Sequence, residues 1–256
     1  MYLFLCNLSC IDLCFTTIIV PNLLYILVSG DNTMSLTQCC IQIYFFFTAD
    51  CAEVMVLVLM AYDRYVAICH PLHYHHILNK DKCMLVILLI WISACVNSSF
   101  FISSTFKLVF CSSRTVHQFF CDAKALINIS CGGTFMFYIV IYVECLLYGL
   151  VPVVCNLMSY LKIIRVILLI TPKEGRHKAF STCLSHLIIM VIYYGSGGSV
   201  YLMPKSDRYS VLEQILTVFF TTVVPMMNPL IYSLRNTEVK SSLRKLVTQF
   251  LQDYAH

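Results

Sequence analysis

The chain has 256 residues, 59% of them hydrophobic and 12% charged, with a mean hydropathy of +0.81. In a soluble domain about a quarter of residues are charged, so this composition describes a membrane protein, with length for six or seven spans of about 20 residues and no room for a soluble domain beside them. The net charge of +4 does not point to nucleic acid, because the basic residues flank apolar stretches instead of forming a stripe with interleaved aromatics.

In chain order, apolar runs fall at 2–28, 36–62, 84–106, 134–161, 180–203 and 211–234. Each is long enough to cross about 30 Å of hydrocarbon at about 1.5 Å per residue, so six transmembrane helices are predicted in one domain over 1–256. Helices are required because an open sheet leaves backbone groups unpaired in lipid. Met1 leads straight into the first run with no basic segment and no cleavage motif, so no signal peptide is predicted. Polar breaks separate the runs at Ser29 to Thr33, His73 to Lys82, Ser112 to Cys131, Thr171 to Lys178 and Pro204 to Tyr209. Pro21, Pro152, Pro225 and Pro229 lie inside runs and predict kinks.

Lysine and arginine set the orientation. Arg64, Lys80 and Lys82, then Lys162, Arg165, Lys173, Arg176 and Lys178, then Arg235, Lys240, Arg244 and Lys245 fall on one side; Lys107, Arg114, Lys124, Lys205 and Arg208 fall on the other. Twelve against five makes the first side cytoplasmic and places both chain ends inside. Basic residues alternate with Val239, Leu243, Leu246, Val247 and Phe250 over 236–251, which predicts an amphipathic helix on the inner leaflet; a disordered basic tail is the alternative.

Within this frame a few residues carry chemistry. Asp12 and Glu53 sit deep in apolar runs, Glu53 about 16 Å along the helix from Arg64, where a carboxylate must be protonated, paired or facing a polar cavity. Asp50 lies one turn from Glu53 on the same face, so the two acids repel; protonation of one, or a cationic ligand beside Asp50, relieves that. Arg64 ends a span beside Asp63, and its permanently charged fork can exchange one partner for another. Most of the fifteen cysteines lie in apolar runs and read as packing. Cys39, Cys111, Cys121 and Cys131 are on the outer side, where disulfides form; four cysteines allow three pairings, and the residues alone do not choose.

No cysteine or histidine spacing suits zinc, and His73, His75 and His76 lack partner acids at ligand spacing. No phosphate loop, nucleophile elbow or metalloprotease helix occurs, so an enzyme is not expected. Six spans with both ends inside suit a channel or transporter, but no filter sequence, arginine ladder or internal repeat is present.

Met60 to Cys69 reads MAYDRYVAIC and continues His70-Pro71-Leu72-His73-Tyr74. LSCIDLC occurs at Leu8 to Cys14, SY at Ser159 and Tyr160, KAFSTCLSHL at Lys178 to Leu187, YYG at Tyr193 to Gly195, and PMMNPLIYSLRN at Pro225 to Asn236. These motifs, in this order over essentially the whole chain, closely resemble those of odorant receptors of the rhodopsin-like, G-protein-coupled class. The resemblance implies an all-α seven-helix membrane bundle of which helices two to seven are present. The family's first helix, with its glycine-asparagine motif, and its N-terminal glycosylation sequon are expected ahead of Met1. A partial gene model, a truncated isoform and a pseudogene-like product all fit that expectation.

The resemblance also implies roles. Asp63, Arg64, Tyr65, Tyr160, Lys178, Asn228, Pro229 and Tyr232 belong to the switch that engages a stimulatory, olfactory-type heterotrimeric G protein at the plasma membrane. Phe46, Phe47, Asp50, Cys51, Glu144, Tyr148, Tyr194, Gly198, Tyr201, Val218 and Thr221 line a cavity for a small volatile odorant, with Tyr194 as its floor. Asp50 departs from the small residue usual there, which raises an amine as ligand. Asp12, Glu53 and Asn228 form a small polar pocket that holds a sodium ion as modulator; two neutral acids bonded to helix neighbours are the alternative. No other cofactor is implied. The pairings implied are Cys39 with Cys121 and Cys111 with Cys131. A non-signalling fragment is the alternative to a working receptor.

Overall fold

The computed structural model describes residues 2–31, 33–110, 115–117, 120–169, 171, 173–202, 210–235, 245 and 248. They form two compact units, Met1–Ala179 and Phe180–His256.

The first unit opens with helix α1, Tyr2–Ser29, whose buried residues Phe4, Leu8, Ile11, Asp12, Phe15 and Ile19 make one stripe at helical spacing. Gly30 ends it at φ 70°, a left-handed cap that glycine adopts without Cβ strain, and its N–H reaches the Ile26 carbonyl at 2.9 Å. Strand β1, Thr33–Ser35, leads into helix α2, Leu36–Cys69. A capping box starts α2: the Ser35 hydroxyl accepts from the Gln38 N–H, and the Gln38 side chain accepts from the Ser35 N–H.

Helix α2 is the hub. It packs against α1, against helix α4 (Lys80–Thr105) and against helix α7 (Val151–Leu169). Of the span-length helices it is the most enclosed. The sequence pattern ends this span at 62, yet the helix runs to Cys69. Buried Asp63 and Val66 keep the last two turns packed, and only Pro71, which disfavours helix at His70, stops them. A 3₁₀ turn, Pro71–His73, and the short helix α3, Tyr74–Ile77, fold back where a polar break was expected. Asn79 then caps α4, its side chain accepting from the Lys82 N–H at 2.8 Å.

After α4 come strand β2 (Val109–Phe110), strand β3 (Thr115–His117), helix α5 (Ala123–Ile129) and strand β4 (Ser130–Gly132). β1 pairs antiparallel with β3, Met34 opposite Val116; β2 pairs antiparallel with β4, Val109 opposite Gly132, with a bulge. These ribbons were not foreseen, since segments of two or three residues carry no readable alternation. They cover a cluster of buried residues that includes Met34, Cys39, Ile43, Phe101, Leu126 and Phe137.

Helix α6, Thr134–Glu144, passes through a π-helical turn, Cys145–Leu150, into α7. Helix α8, Lys173–Leu202, crosses into the second unit, which continues with α9 (Ser210–Val218), a second π turn (Phe219–Val223) and α10 (Val224–Arg235). Pro152 and Pro225, two of the prolines at which kinks were expected, lie just beyond these turns. Each proline follows a π turn by two residues: without an N–H it cannot bond the carbonyl four residues back, and the ladder slips by one residue.

Four described helices are long and apolar enough to cross a membrane: Tyr2–Ser29, Leu36–Cys69, Lys80–Thr105 and the continuous Thr134–Leu169. The other two expected spans contain shorter apolar stretches, His186–Val200 and Ile215–Asn228. Polar residues in the N-terminal parts of these two helices, from Lys173 to Ser185 and at Glu213 and Gln214, shorten the apolar part. The amphipathic helix expected over 236–251 lies outside the described residues, apart from 245 and 248.

Candidate functional site

Near the start of α2 a disulfide joins Cys39 to Cys121 across 82 residues of sequence. One turn on, Gln42 adds a second tether. Its carbonyl oxygen accepts from the Cys121 N–H at 2.9 Å, and its amide donates to the Ile18 carbonyl of α1 at 3.5 Å. The adjacent Cys40 is a free thiol. Cys131 is also disulfide-bonded; its expected partner Cys111 lies outside the described residues.

Below this clamp is an aromatic layer. Phe46 is 1% exposed and meets Phe15 at 5.3 Å and Phe120 at 4.6 Å, both edge-on. Phe47 stacks on Phe101 at 4.3 Å, and Phe101 meets Phe137 at 5.4 Å. Phe46 is thus held in packing on two sides, whereas Phe47 is only half-buried.

One turn deeper the residues turn polar. The Asn97 amide donates to the Glu144 carboxylate at 2.9 Å and lies 3.3 Å from the Cys51 sulfur, so α4 ties α2 to α6. Glu144 is 8% exposed and Cys51 1%, while Asp50 and Tyr148 are half-buried beside them. Glu144 stands within electrostatic reach of Asp50. The acid that shares Asp50's surroundings is therefore this one as well as Glu53, and the i, i+3 spacing gave no sign of it. Asn97 was not singled out from sequence either, although an amide in the run Trp91 to Phe101 was the available signal.

Asp12 and Glu53 are buried at 5% and 1% exposure. Contacts of Phe15 with Phe46 and of Ile18 with Gln42 set an antiparallel register of α1 on α2. That register puts Asp12 abreast of Ala49, about one turn from Glu53. Nearby, the Trp91 indole of α4 donates to Asn7 of α1 at 3.3 Å.

At the far end of α2, Asp63 is buried and holds two partners. Arg64 lies 3.6 Å from it, and the Tyr74 hydroxyl of α3 donates to it at 2.8 Å. The Tyr74 phenol is pushed up to about 12 by burial and by the bond to, and charge of, Asp63. Tyr65 bonds the His70 ring at 3.1 Å, and the Lys162 ammonium lies over its ring at 5.4 Å. Tyr160 is 4% exposed on the face of α7 that carries Asn156 and Ile163. Tyr74 belonged to the quoted motif, but its bond to Asp63 depends on the turn at Pro71 and is invisible in the linear sequence.

In the second unit Tyr193 meets Phe220 at 5.6 Å. A Cβ on Gly197 would stand 3.2 Å from the Phe220 ring, so α8 approaches the second π turn closely. Tyr194 and Val218 are half-buried, and Gly198 borders open space. Thr221 is fully buried and donates to the Thr217 carbonyl at 2.8 Å; Asn228 is 1% exposed. The side chains of Lys178, Tyr201, Pro229 and Tyr232 lie outside the described residues.

Helices of this length and hydropathy define a multi-pass helical membrane protein, and acids buried within them mark internal polar sites of the kind that bind or switch. Comparison with known proteins narrows that class. The olfactory receptor family model matches residues 1–250. Olfactory receptor 1G1 of Gorilla gorilla gorilla is 42% identical over 247 residues, 96% of this chain and 79% of the relative. Olfactory receptor 1M1 of Homo sapiens is 41% identical over 97% of this chain and 80% of its own length. Olfactory receptor 2C1 of Mus musculus is 40% identical over 96% and 79%. The chain belongs to the olfactory receptor family, a family of receptors and not of enzymes.

Proposed function

We propose that this protein is an odorant-detecting G-protein-coupled receptor of the plasma membrane. A small volatile ligand binds among the outer halves of its helices and activates a heterotrimeric G protein of the stimulatory, olfactory type. The six apolar runs correspond to helices two to seven of the family bundle, with Arg64 and Lys178 at the cytoplasmic face. One observation carries the reading: the Asn97, Glu144 and Cys51 cluster, with Asp50 beside it, is a polar site within helices that are otherwise apolar, and a few such groups orient a small ligand in an apolar site.

Two acids within reach of one another favour a ligand that brings positive charge, so a volatile amine is the class we assign to the site. At the other end, Asp63 restrains Arg64 at rest, and outward movement of the helices frees the guanidinium for the G protein. Asp12 and Glu53 supply hard oxygen donors of the kind a sodium ion takes, and their burial fits such an ion. Bound there, sodium would offset one of the two negative charges and favour the resting state.

The test is cyclic-AMP production in cells that express the chain with an olfactory-type G protein, against a panel of amines and neutral odorants. A response to amines that Asp50→Asn reduces at least tenfold is expected. Equal amine responses in Asp50→Asn and the parent remove the amine assignment. Currents without any G protein overturn the receptor reading.

A further inference from the structure

A groove lies on the outside of the helices, between the last turns of α4 and the first turns of α6. It encloses 280 Å³ and is lined by Phe100, Ser103, Ser104 and Lys107 on one wall and Met136, Ile139 and Val143 on the other. Such a volume lies at the small end of ligand sites, about 300 Å³, and holds part of a hydrocarbon chain. Phe100, Met136, Ile139 and Val143 are 60%, 50%, 42% and 45% exposed. They belong to helices long and apolar enough to cross a membrane, so the groove faces lipid. Val143 and the neighbouring Glu144 point to different surroundings, Glu144 being 8% exposed, which separates this groove from the polar cluster.

The walls are dry. The Ser103 hydroxyl donates to the Phe100 carbonyl at 2.7 Å and that of Ser104 to the Phe101 carbonyl at 2.6 Å, so neither hydroxyl proton is offered to a ligand. The polar feature is Lys107, exposed at the rim, whose ammonium has no hydrogen bond or ion pair among the described residues. Its backbone is fixed in place. The Lys107 N–H bonds the Ser104 carbonyl at 3.2 Å, and Gly133, at φ 74°, passes so close over the Lys107 carbonyl that a Cβ there would collide with it.

A hydrocarbon groove with one anchored cation at its mouth matches an amphiphile with an acyl tail and a phosphate in its head. We propose that this groove binds a membrane glycerophospholipid, its acyl chain along Phe100, Met136, Ile139 and Val143 and its phosphate on the Lys107 ammonium. The bilayer supplies that ligand in excess, and a lysine near the headgroups is drawn to lipid phosphate. Covering by a second copy about a two-fold axis fits less well, because it brings two Lys107 groups toward one another.

The experiment is native mass spectrometry of the full chain in detergent, titrated with phosphatidylglycerol and, separately, with cholesterol. Lys107→Gln should weaken phosphatidylglycerol binding about fivefold, the effect of one lysine near a lipid surface. Val143→Trp, which fills an exposed part of the groove, should weaken it at least as much, and Lys80→Gln at the opposite end of α4 should leave it unchanged. Retained Cys39–Cys121 oxidation in each variant verifies folding. Equal binding in Lys107→Gln, Val143→Trp and the parent overturns the assignment, as does cholesterol displacing the phospholipid independently of Lys107. A dimer lost in Val143→Trp while lipid binding persists overturns it too, and makes the face an interface between copies.

Discussion

Tyr74 is the residue whose role changes most between sequence and structure. Its hydroxyl donates to the buried Asp63 carboxylate, the same acid that Arg64 approaches, so it shares the restraint on the arginine. Removing the hydroxyl in Tyr74→Phe takes away a bond to a charged group worth about 1 kcal/mol at a half-exposed site. Ligand-independent cyclic-AMP production should rise a few-fold, and an unchanged basal level would show that Arg64 is restrained elsewhere. The pH dependence has a definite sign. The folded-state phenol is raised to about 12 against about 10 when unfolded, so its contribution is fully present below about pH 10 and lost as pH rises toward about 12. The difference in thermal stability between the parent and Tyr74→Phe should be flat from pH 6 to 9 and shrink above pH 10. Asp63, Arg64 and Tyr65 were legible in the linear motif because their neighbours are adjacent in sequence. The Tyr74 partner was not, since it needs Pro71 to turn the chain back.

Among the elements, the two π turns connect residue chemistry to geometry. A single extra residue in a helical turn rotates everything beyond it by about 100°, so the turn at Cys145–Leu150 decides how Glu144 is oriented relative to Tyr160 on the same continuous helix. Pro152→Ala restores an N–H able to bond the carbonyl four residues back and removes the cause of the slip. Glu144 and Tyr160 then cannot both keep their buried faces. Odorant potency should fall at least tenfold at unchanged surface expression, and an unaltered dose response would show that the turn survives without proline. Gly133→Ala tests the neighbouring element: the left-handed backbone and the close Lys107 carbonyl make a Cβ cost at least about 1 kcal/mol, read as a lower melting temperature. The helices themselves were legible from apolar runs and proline positions. Their ends were less so, because buried Asp63 and Val66 carry α2 past its charged motif, and packing of that kind is not written in hydropathy. The Asn97 to Glu144 bond joins residues 47 apart in sequence, and no spacing rule connects them.

For the molecule as a whole, the disulfide and the charge distribution make a joint statement about which side faces the cytoplasm. The Cys39–Cys121 bond closes a loop of 82 residues, worth about 4 kcal/mol in loop-closure terms, and it forms only in an oxidising compartment. The six-span reading of the sequence expects five lysines and arginines on that side against twelve on the other, and the excess stays inside. These are independent constraints, one redox and one electrostatic, and both lead us to expect the β1–β3 and β2–β4 ribbons outside. A glycosylation acceptor inserted between Ser112 and Arg114 should therefore acquire a glycan in cells, and one inserted after Leu78, between α3 and α4, should not. A glycan at Leu78 with none at Ser112 would invert the bundle and put Arg64 on the wrong face for a G protein. Glycans at both sites would mean that α4 fails to span, contrary to its 26 residues and apolar composition. The assay reads α4 alone and needs no ligand, so its outcome stands whether or not the chain signals.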